Sequence, residues 1–554
     1  MASTFFRLLL GGIAGKVLGV VREVLLAALF GAGRAVGANR VALTGTMVPL
    51  NFFTADALSA GFLPLYVQYR QDNPAMALAL YRSVRTLFVG LSVALLIALQ
   101  LARGFWIDLL APGLDHSTAA LASSMLAVAA LGMPFLLLYS LDNLVALERD
   151  DVRLINLRAS FQSLGLISAT VVAYLTGDAV LLAWGFTTPY FLLWCFGVYW
   201  LRKKQYLDGP EPARRLSRIE RSHYKIVLGM FWRRLRPLLL IPVLLQGSIS
   251  VERAVGSLLG VEVVAATEYS RFVVDSLMAL IAAPLGLAGL AAFARMRTHE
   301  VHDGLRRMLG PILLVTVPLS IALGVNSRGI ITVLYARGEF DQRAVDVTSI
   351  MLLGFSLGIW ANVLGHTLVK VLNARGHNRR AAVANGLSFG IAATVNLVMW
   401  RYTGPFTLGL ASAVGGVVMF VGAAVSLKIV RHSLGLLVLL APGIAGATAA
   451  GWLLAGDGLV RLAGSCALIG LVWLGYVMLV PSLRAAFVTG LWSRIAKRGQ
   501  KASPAGETGT VAMPAGETPP AEPLDEAPTF VHVLPDDEGL PARPGSGRHR
   551  RGAS

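Results

Sequence analysis

Residues 15–33 read GKVLGVVREVLLAALFGAG, with small or apolar side chains throughout except at Lys16, Arg22 and Glu23. About 20 mainly apolar residues suffice for a helix to cross bilayer hydrocarbon. A charge at that depth is expensive and marks a cavity, a pathway or an ion pair. Lys16 and Glu23 lie seven residues apart, hence on nearly one face at about 100° per residue, with Arg22 to one side. Gly12, Gly15 and Gly19 form a stripe of small residues that permits close helix approach or bending. This stretch predicts a spanning helix whose charges have work to do.

The rest of the chain has the same character. Over 554 residues it is 55% hydrophobic and only 14% charged, with a mean hydropathy of +0.65, whereas soluble domains carry about 25% charged residues. The fold class predicted is an all-α polytopic membrane protein. Net charge is +18, but no basic stripe with interleaved aromatics accompanies it, which argues against a nucleic-acid partner. Cys195 and Cys466 both sit in apolar segments, so neither a disulfide framework nor a metal site follows. The chain has no Walker A loop, no nucleophile elbow and no metal-spaced His/Cys cluster, so no enzyme and no cofactor is expected. Its first apolar run is too long and too charged for a cleaved signal peptide.

Fourteen candidate spans follow, at about 4–31, 36–66, 84–104, 117–147, 154–176, 179–201, 229–258, 264–294, 308–333, 346–373, 380–400, 404–428, 434–455 and 460–482. Alternate loops carry Arg70/Arg82/Arg85, Arg149/Arg153/Arg158, Arg295/Arg297/Arg306/Arg307, Arg375/Arg379/Arg380 and Lys428/Arg431, besides the basic stretch 201–225. The opposite loops are sparse or acidic, with Asp108, Asp115, Asp178 and Glu262. The positive-inside rule places the basic loops and both termini in the cytoplasm. Beyond 498 the chain turns rich in Pro, Gly and Glu, repeats PAGET and ends on a basic run. Such composition predicts a disordered cytoplasmic tail. Between the last span and the tail, Phe487, Leu491 and Ile495 predict an interfacial helix over 484–497.

A shift of 226 residues lays the chain on itself. Asp115, Met125, Leu126, Gly132, Val145, Arg149 and Arg153 match Asp341, Met351, Leu352, Gly358, Val371, Arg375 and Arg379. The shift spans six helices, so the copies are parallel repeats related by an axis along the membrane normal. The domain plan is then a six-helix lobe at 1–205, a basic linker at 206–228, a second six-helix lobe at 229–430 and two extra helices at 431–483.

Charges cluster in two further spans. The seventh carries Glu252 and Arg253; the eighth carries Glu268, Arg271 and Asp275 at i, i+3 and i+7 on one face. An Arg flanked by carboxylates one turn either way can form ion pairs within its own helix. These groups could equally pair to fix helix packing, or line a cavity with Asp56 of the second span. Asn362, His366 and Lys370 form a polar stripe in the tenth, suited to helix–helix hydrogen bonding. Arg233, Arg234 and Arg236 sit where snorkelling to the interface is the simplest account. Cations on facing lobes suit an anionic substrate, and the planar fork of Arg suits phosphate.

The motifs resemble those of the MurJ (MviN) family of lipid II flippases. GKVLGVVREVLLAALFGAG is similar to that family's first helix, SAGFLPLYVQYR to the end of its second, EYSRFVVDSLM to a stretch of its eighth and VLYARGEF to an outer-loop motif. The resemblance covers roughly 1–480. It implies fourteen helices in two lobes around a cavity, within the multidrug/oligosaccharidyl-lipid/polysaccharide exporters, and a lipid-tail groove formed by the last two helices. The substrate implied is lipid II, an undecaprenyl-diphosphate-linked glycan lipid, carried to the outer leaflet by alternating access. Lys16, Arg22 and Arg271 take the positions that contact the diphosphate, and Glu23, Asp56, Glu252, Arg253, Glu268 and Asp275 remain for coupling or cavity ion pairs. The chain departs from the pattern at Lys16 and Glu23, where the family has Arg and Asp, and in MVPLNFFTADA, which lacks the second helix's arginines. An exopolysaccharide or O-antigen unit is the alternative cargo, a non-transporting membrane scaffold the alternative class, and cell-wall synthesis proteins are the partners the resemblance implies for the cytoplasmic tail.

Overall fold

The computed structural model describes residues 2–54, 56–207, 228–233, 235, 239–295 and 300–487. Most of the expected linker, the expected tail, residues 488–497 of the expected interfacial helix, Arg234, Arg236 and the side chain of Asp56 lie outside the described residues. Every described element is helical. The first half of the chain forms α1 (Ala2–Phe30), α2 (Arg34–Thr54), α3 (Asp56–Asp72), α4 (Pro74–Leu101), α5 (Arg103–Leu110), α6 (His116–Ala130), α7 (Met133–Glu148), α8 (Arg153–Thr176) and, after a 3-10 turn, α9 (Trp184–Lys203). The second half forms α10 (Leu240–Leu259), α11 (Val261–Arg295), α12 (Glu300–Val325), α13 (Ser327–Tyr335), α14 (Gln342–Leu357), α15 (Ile359–Ala374), α16 (Asn378–Thr403), α17 (Phe406–Ser426), α18 (Val430–Leu454), α19 (Leu459–Leu479) and α20 (Pro481–Phe487).

Among the described residues eight helices are long and apolar enough to cross a membrane, or ten if each of two bent pairs is one span. That set leaves out α10 and α11, which between them carry Glu252, Arg253, Glu262, Glu268, Arg271 and Asp275. The bent pairs are the two copies of the sequence repeat. Asp115 caps α6 by accepting the Thr118 amide at 3.1 Å, and Asp341 caps α14 by accepting the Ala344 amide at 2.8 Å. The Ser117 and Thr118 donors hold the Asp115 carboxyl well below the usual carboxylate range. The pairs bend by 42° between α6 and α7 and by 46° between α14 and α15. The matched glycines sit at these bends and admit close neighbours. A methyl group on Gly132 would lie 2.9 Å from the Phe186 ring, and one on Gly358 would lie 2.4 Å from the Ala413 backbone. The copies end on Arg149 and Arg375, the C-caps of α7 and α15.

The core is divided unevenly. One apolar cluster joins Leu26, Val36, Ile107 and Met125 of the first half to Val264, Tyr269, Ile331, Tyr335 and Phe355 of the second. The other holds Phe62, Leu80, Phe88, Leu137, Tyr139, Leu144 and Tyr190 of the first half, joined by Phe231 and Leu235 from the start of the second. The halves therefore share a core at the sparsely charged end. There the backbones nearly touch: the Glu339 amide donates to the Ala28 carbonyl at 3.0 Å, and the Tyr269 hydroxyl to the Gly31 carbonyl at 2.9 Å. Tyr269, Tyr335 and Phe340 stack around this seam with centroids 5.0–5.7 Å apart. FGAG at 30–33 and RGEF at 337–340 are thus the two sides of one contact. Gly31 and Gly338 have φ of +61° and +59°, and a methyl group on Gly338 would lie 2.0 Å from the Ala28 carbonyl oxygen.

Alanine at Gly338 would carry the left-handed penalty of about 1–2 kcal/mol and this clash as well. With Cys195 and Cys466 replaced by serine, cysteines at Ala28 and Glu339 should cross-link readily under oxidation. Adding Gly338→Ala should slow that cross-link several-fold, and unchanged cross-linking would show that the seam tolerates a side chain.

Candidate functional site: a chain of ion pairs between the halves

α1 is held between the two halves by its small residues. A methyl group on Gly15 would lie 2.6 Å from Ala159 Cβ on α8, and one on Gly19 would lie 3.3 Å from the Phe272 ring on α11. The Arg22 guanidinium lies over that same ring, 5.8 Å from its centroid.

Glu23 is 1% exposed and serves two arginines. Its Oε1 accepts from Arg22 Nε at 3.1 Å and Nη2 at 2.7 Å, while its Oε2 accepts from Arg40 Nη2 at 2.5 Å. Arg40, on α2, is itself buried and lies over the Tyr269 ring, 5.9 Å from the centroid. In the second half, Arg253 pairs with Glu268 and donates to the Val264 carbonyl at 3.3 Å. Arg271 Nη2 contacts both oxygens of Glu252, at 2.7 and 2.6 Å, with its guanidinium 5.4 Å from the Phe355 centroid. The charges continue into one another: Arg40 lies within electrostatic reach of Glu268, Glu268 of Arg271, Arg271 of Asp275 and Asp275 of Lys16.

The expected pairing of Arg271 with the carboxylates of its own helix is replaced by a crossed one. α10 and α11 run antiparallel, so the adjacent Glu252 and Arg253 meet Arg271 and Glu268, which stand one turn apart. Each partner then gains a counter-charge across the helix interface, where a pair within one helix would stay partly solvated. Asp275 is exposed and has no ion-pair partner among the described residues.

Glu252, Arg271 and Asp275 line a cavity of about 310 Å³ together with Asn362, His366 and Asn396. Asn362 also approaches the Ser412 carbonyl at 3.5 Å, so the polar stripe of α15 divides between helix contact and cavity, and Lys370 does not line the cavity. Arg22 and Arg271 keep about a quarter of their side chains accessible, while Glu23 keeps 2%. Arg233 is exposed. An apolar groove of about 430 Å³ lies between α12, α14 and α18, lined by Ile321, Trp360, Leu437, Ile444 and Trp452. α18 contributes to it and α19 does not.

Two buried charged residues were not singled out in the sequence. Arg40 is an intramembrane arginine by the same criterion as Arg22, but it lies two to three turns before the segment where the resemblance placed cations. Asp142 on α7 is 3% exposed, accepts from the Tyr81 hydroxyl at 2.7 Å and has no ion-pair partner among the described residues. It was hidden in a run otherwise read as apolar.

An all-helical, multi-pass bundle with a charged chain across its halves is the architecture of a membrane transporter. A family model described as lipid II flippase MurJ matches residues 26–487. A probable lipid II flippase MurJ of Synechocystis sp. is 25% identical over 432 residues, 74% of this chain and 77% of its own length. One from Thermotoga maritima is 22% identical over 430 residues, 76% and 84%. Among solved structures, a lipid II flippase MurJ in an inward closed conformation superposes with a TM-score of 0.72 at 18% identity, over 85% of this chain and 97% of that one. An inward-facing multidrug resistance MATE family transporter of the MOP superfamily does so at 0.60 and 14%, over 76% and 95%. The chain belongs to the lipid II flippase MurJ family, a family of bacterial membrane transporters rather than catalysts.

Breaking a buried pair by removing one partner typically costs about 3–5 kcal/mol, against about 0–1 for an exposed pair. Glu268→Gln, which strands the buried Arg253, should lower the unfolding temperature in detergent far more than Arg328→Ala, which breaks the exposed Arg328–Asp346 pair. Equal effects would mean that the Arg253 site is hydrated.

Proposed function

We propose that this chain carries lipid II across the membrane, its diphosphate recruited by Lys16, Arg22 and Arg271. The observation that supports this best is the charge balance of the site. Among the described residues of this chain of pairs, Lys16, Arg22, Arg40, Arg253 and Arg271 face Glu23, Glu252, Glu268 and Asp275, one more cation than carboxylate. Arg22 and Arg271 come from different halves and are the pair members that stay partly accessible. An anion bridging them would neutralise that excess and draw the halves together.

The repeat, with its matched caps and bends, supports two six-helix lobes plus two further helices, fourteen spans in all. The basic end is then cytoplasmic, with both termini on that side. The seam of Gly31, Gly338 and the Tyr269 cluster closes the outer end in the state described here. Transport would require this seam to part while the basic end closes. The isoprenoid chain would remain in lipid, with the groove beside α18 available to it. Asp275, exposed beside Arg271, is the carboxylate best placed to sense a coupling ion, since Glu23, Glu252 and Glu268 are each engaged by arginine.

The test is replacement of the native flippase in depleted cells. The full chain should restore lipid II at the outer leaflet, and Lys16→Gln, Arg22→Gln or Arg271→Gln should each cut that restoration at least tenfold at equal expression. A chain ending at residue 497 should restore it fully. A membrane scaffold predicts the reverse: harmless charge substitutions and a damaging truncation. A cargo other than lipid II predicts no restoration by any version.

A further inference from the structure

Glu23 is a shared counter-ion. Its two oxygens are divided between an accessible arginine, Arg22, and a buried one, Arg40. A carboxylate carries one negative charge, so it can neutralise one of them. If Arg40 were absent, Arg22 and Glu23 would form a closed neutral pair, and the partly accessible guanidinium would offer an anion little net charge.

We infer that Arg40 is a positioning residue for the anion site: by engaging Glu23 from the buried side, it leaves the charge of the more accessible Arg22 free for an anion. Resting on the diphosphate reading above, this adds what sets the strength of the site. Arg40 cannot touch the anion itself. It is buried between α1, α2 and α11, over the Tyr269 ring and beside the Tyr269–Gly31 hydrogen bond. It also lies within electrostatic reach of Glu268, the carboxylate that pairs Arg253. Arg40 therefore stands where the pair network of the first half meets that of the second. Low dielectric makes the arrangement effective, because a charge 4 Å away in the interior is felt several-fold more strongly than in water.

The geometry also fixes the orientation of Arg22. Its Nε and Nη2 both bind Glu23 Oε1, which holds one edge of the guanidinium against α1. Arg40 keeps the other oxygen engaged, so Glu23 cannot swing to chelate Arg22 with both. The remaining Nη1 edge of Arg22 is the one left for a ligand.

The charges of this triad count differently in each variant. They sum to one positive charge in the native chain, none in Arg40→Met, two in Glu23→Gln and one in Glu23→Gln/Arg40→Met. The Gln amide oxygen still accepts from Arg22. Binding of a short-chain polyprenyl diphosphate to the purified full-length chain should follow that order. Arg40→Met should weaken binding about tenfold, the value of roughly 1.4 kcal/mol. Glu23→Gln should tighten it, and the double variant should return toward the native affinity. Arg40→Lys, which keeps the charge with fewer donors, should fall between native and Arg40→Met.

A merely structural Arg40 predicts another pattern, in which both single variants lose affinity in proportion to their loss of unfolding temperature. That pattern overturns the inference, as does native affinity in Arg40→Met. If Arg40→Met does not fold, the double variant and Arg40→Lys decide, and failure of the folded double variant to bind overturns it equally. Absence of binding by the native chain overturns the diphosphate reading along with it. Native binding with an unaffected Arg40→Met overturns this inference alone.

Discussion

Everything in this bundle depends on how charge is kept inside an apolar interior. A lone guanidinium or carboxylate at that depth is costly, and most of those described here find a counter-charge on a neighbouring helix. Glu23 draws α2 against α1 through Arg40, and the crossed pairs Arg253–Glu268 and Arg271–Glu252 lock α10 against α11. Pairs of this kind repay little more than their desolvation. Their value here is register: a slip of one turn between α10 and α11 would set Arg271 against apolar residues and leave Glu252 alone. The same constraint leaves a surplus. Within the described chain of pairs five cations meet four carboxylates, while Asp142 stands apart on α7 against Tyr81.

The halves meet differently at their two ends. At the sparsely charged end they share a core and touch backbone to backbone, across Gly31, Gly338 and also Gly37, where a methyl group would lie 2.3 Å from Val261. Toward the basic end a second core is built mostly by the first half, with only Phe231 and Leu235 of the second half buried in it among the described residues. Between membrane helices the hydrophobic effect contributes little, and packing and hydrogen bonds decide association. A seam made of a few close contacts, with small residues and two main-chain acceptors, can therefore part and re-form without exposing a large apolar face to water. The ion-pair chain lies between this seam and the cavity, so an anion bound at Arg22 and Arg271 would act on the same helices that close it.

Much of this was legible in the sequence, for physical reasons that also set the limit. The helical class follows from hydropathy. The repeat was visible as Asp115 and Asp341, Gly132 and Gly358, Arg149 and Arg375, because a cap, a bend and a basic end each demand a residue type at a fixed position along one chain segment. Charges at 16, 22, 23, 252, 253, 268, 271 and 275 stood out because charge is rare in spans. Partnership did not, since it depends on register between helices, which periodicity along one helix cannot report. Arg271 was therefore expected beside Glu268 and Asp275, and the structure pairs it with Glu252. Arg40 and Asp142 were missed for a related reason: each is a single charge in an apolar run, and only the fold shows that one completes a network while the other meets a tyrosine.

The central claim is that a lipid-linked diphosphate crosses the membrane between these halves. The most direct measurement is flipping of fluorescent lipid II in liposomes containing the purified full-length chain, read by quenching from one side. The account predicts quenching beyond the half expected for a static bilayer, at a rate that falls at least tenfold when Arg22 and Arg271 are both replaced by glutamine. Quenching no greater than in protein-free liposomes, or an unaltered rate in the double replacement, would contradict it.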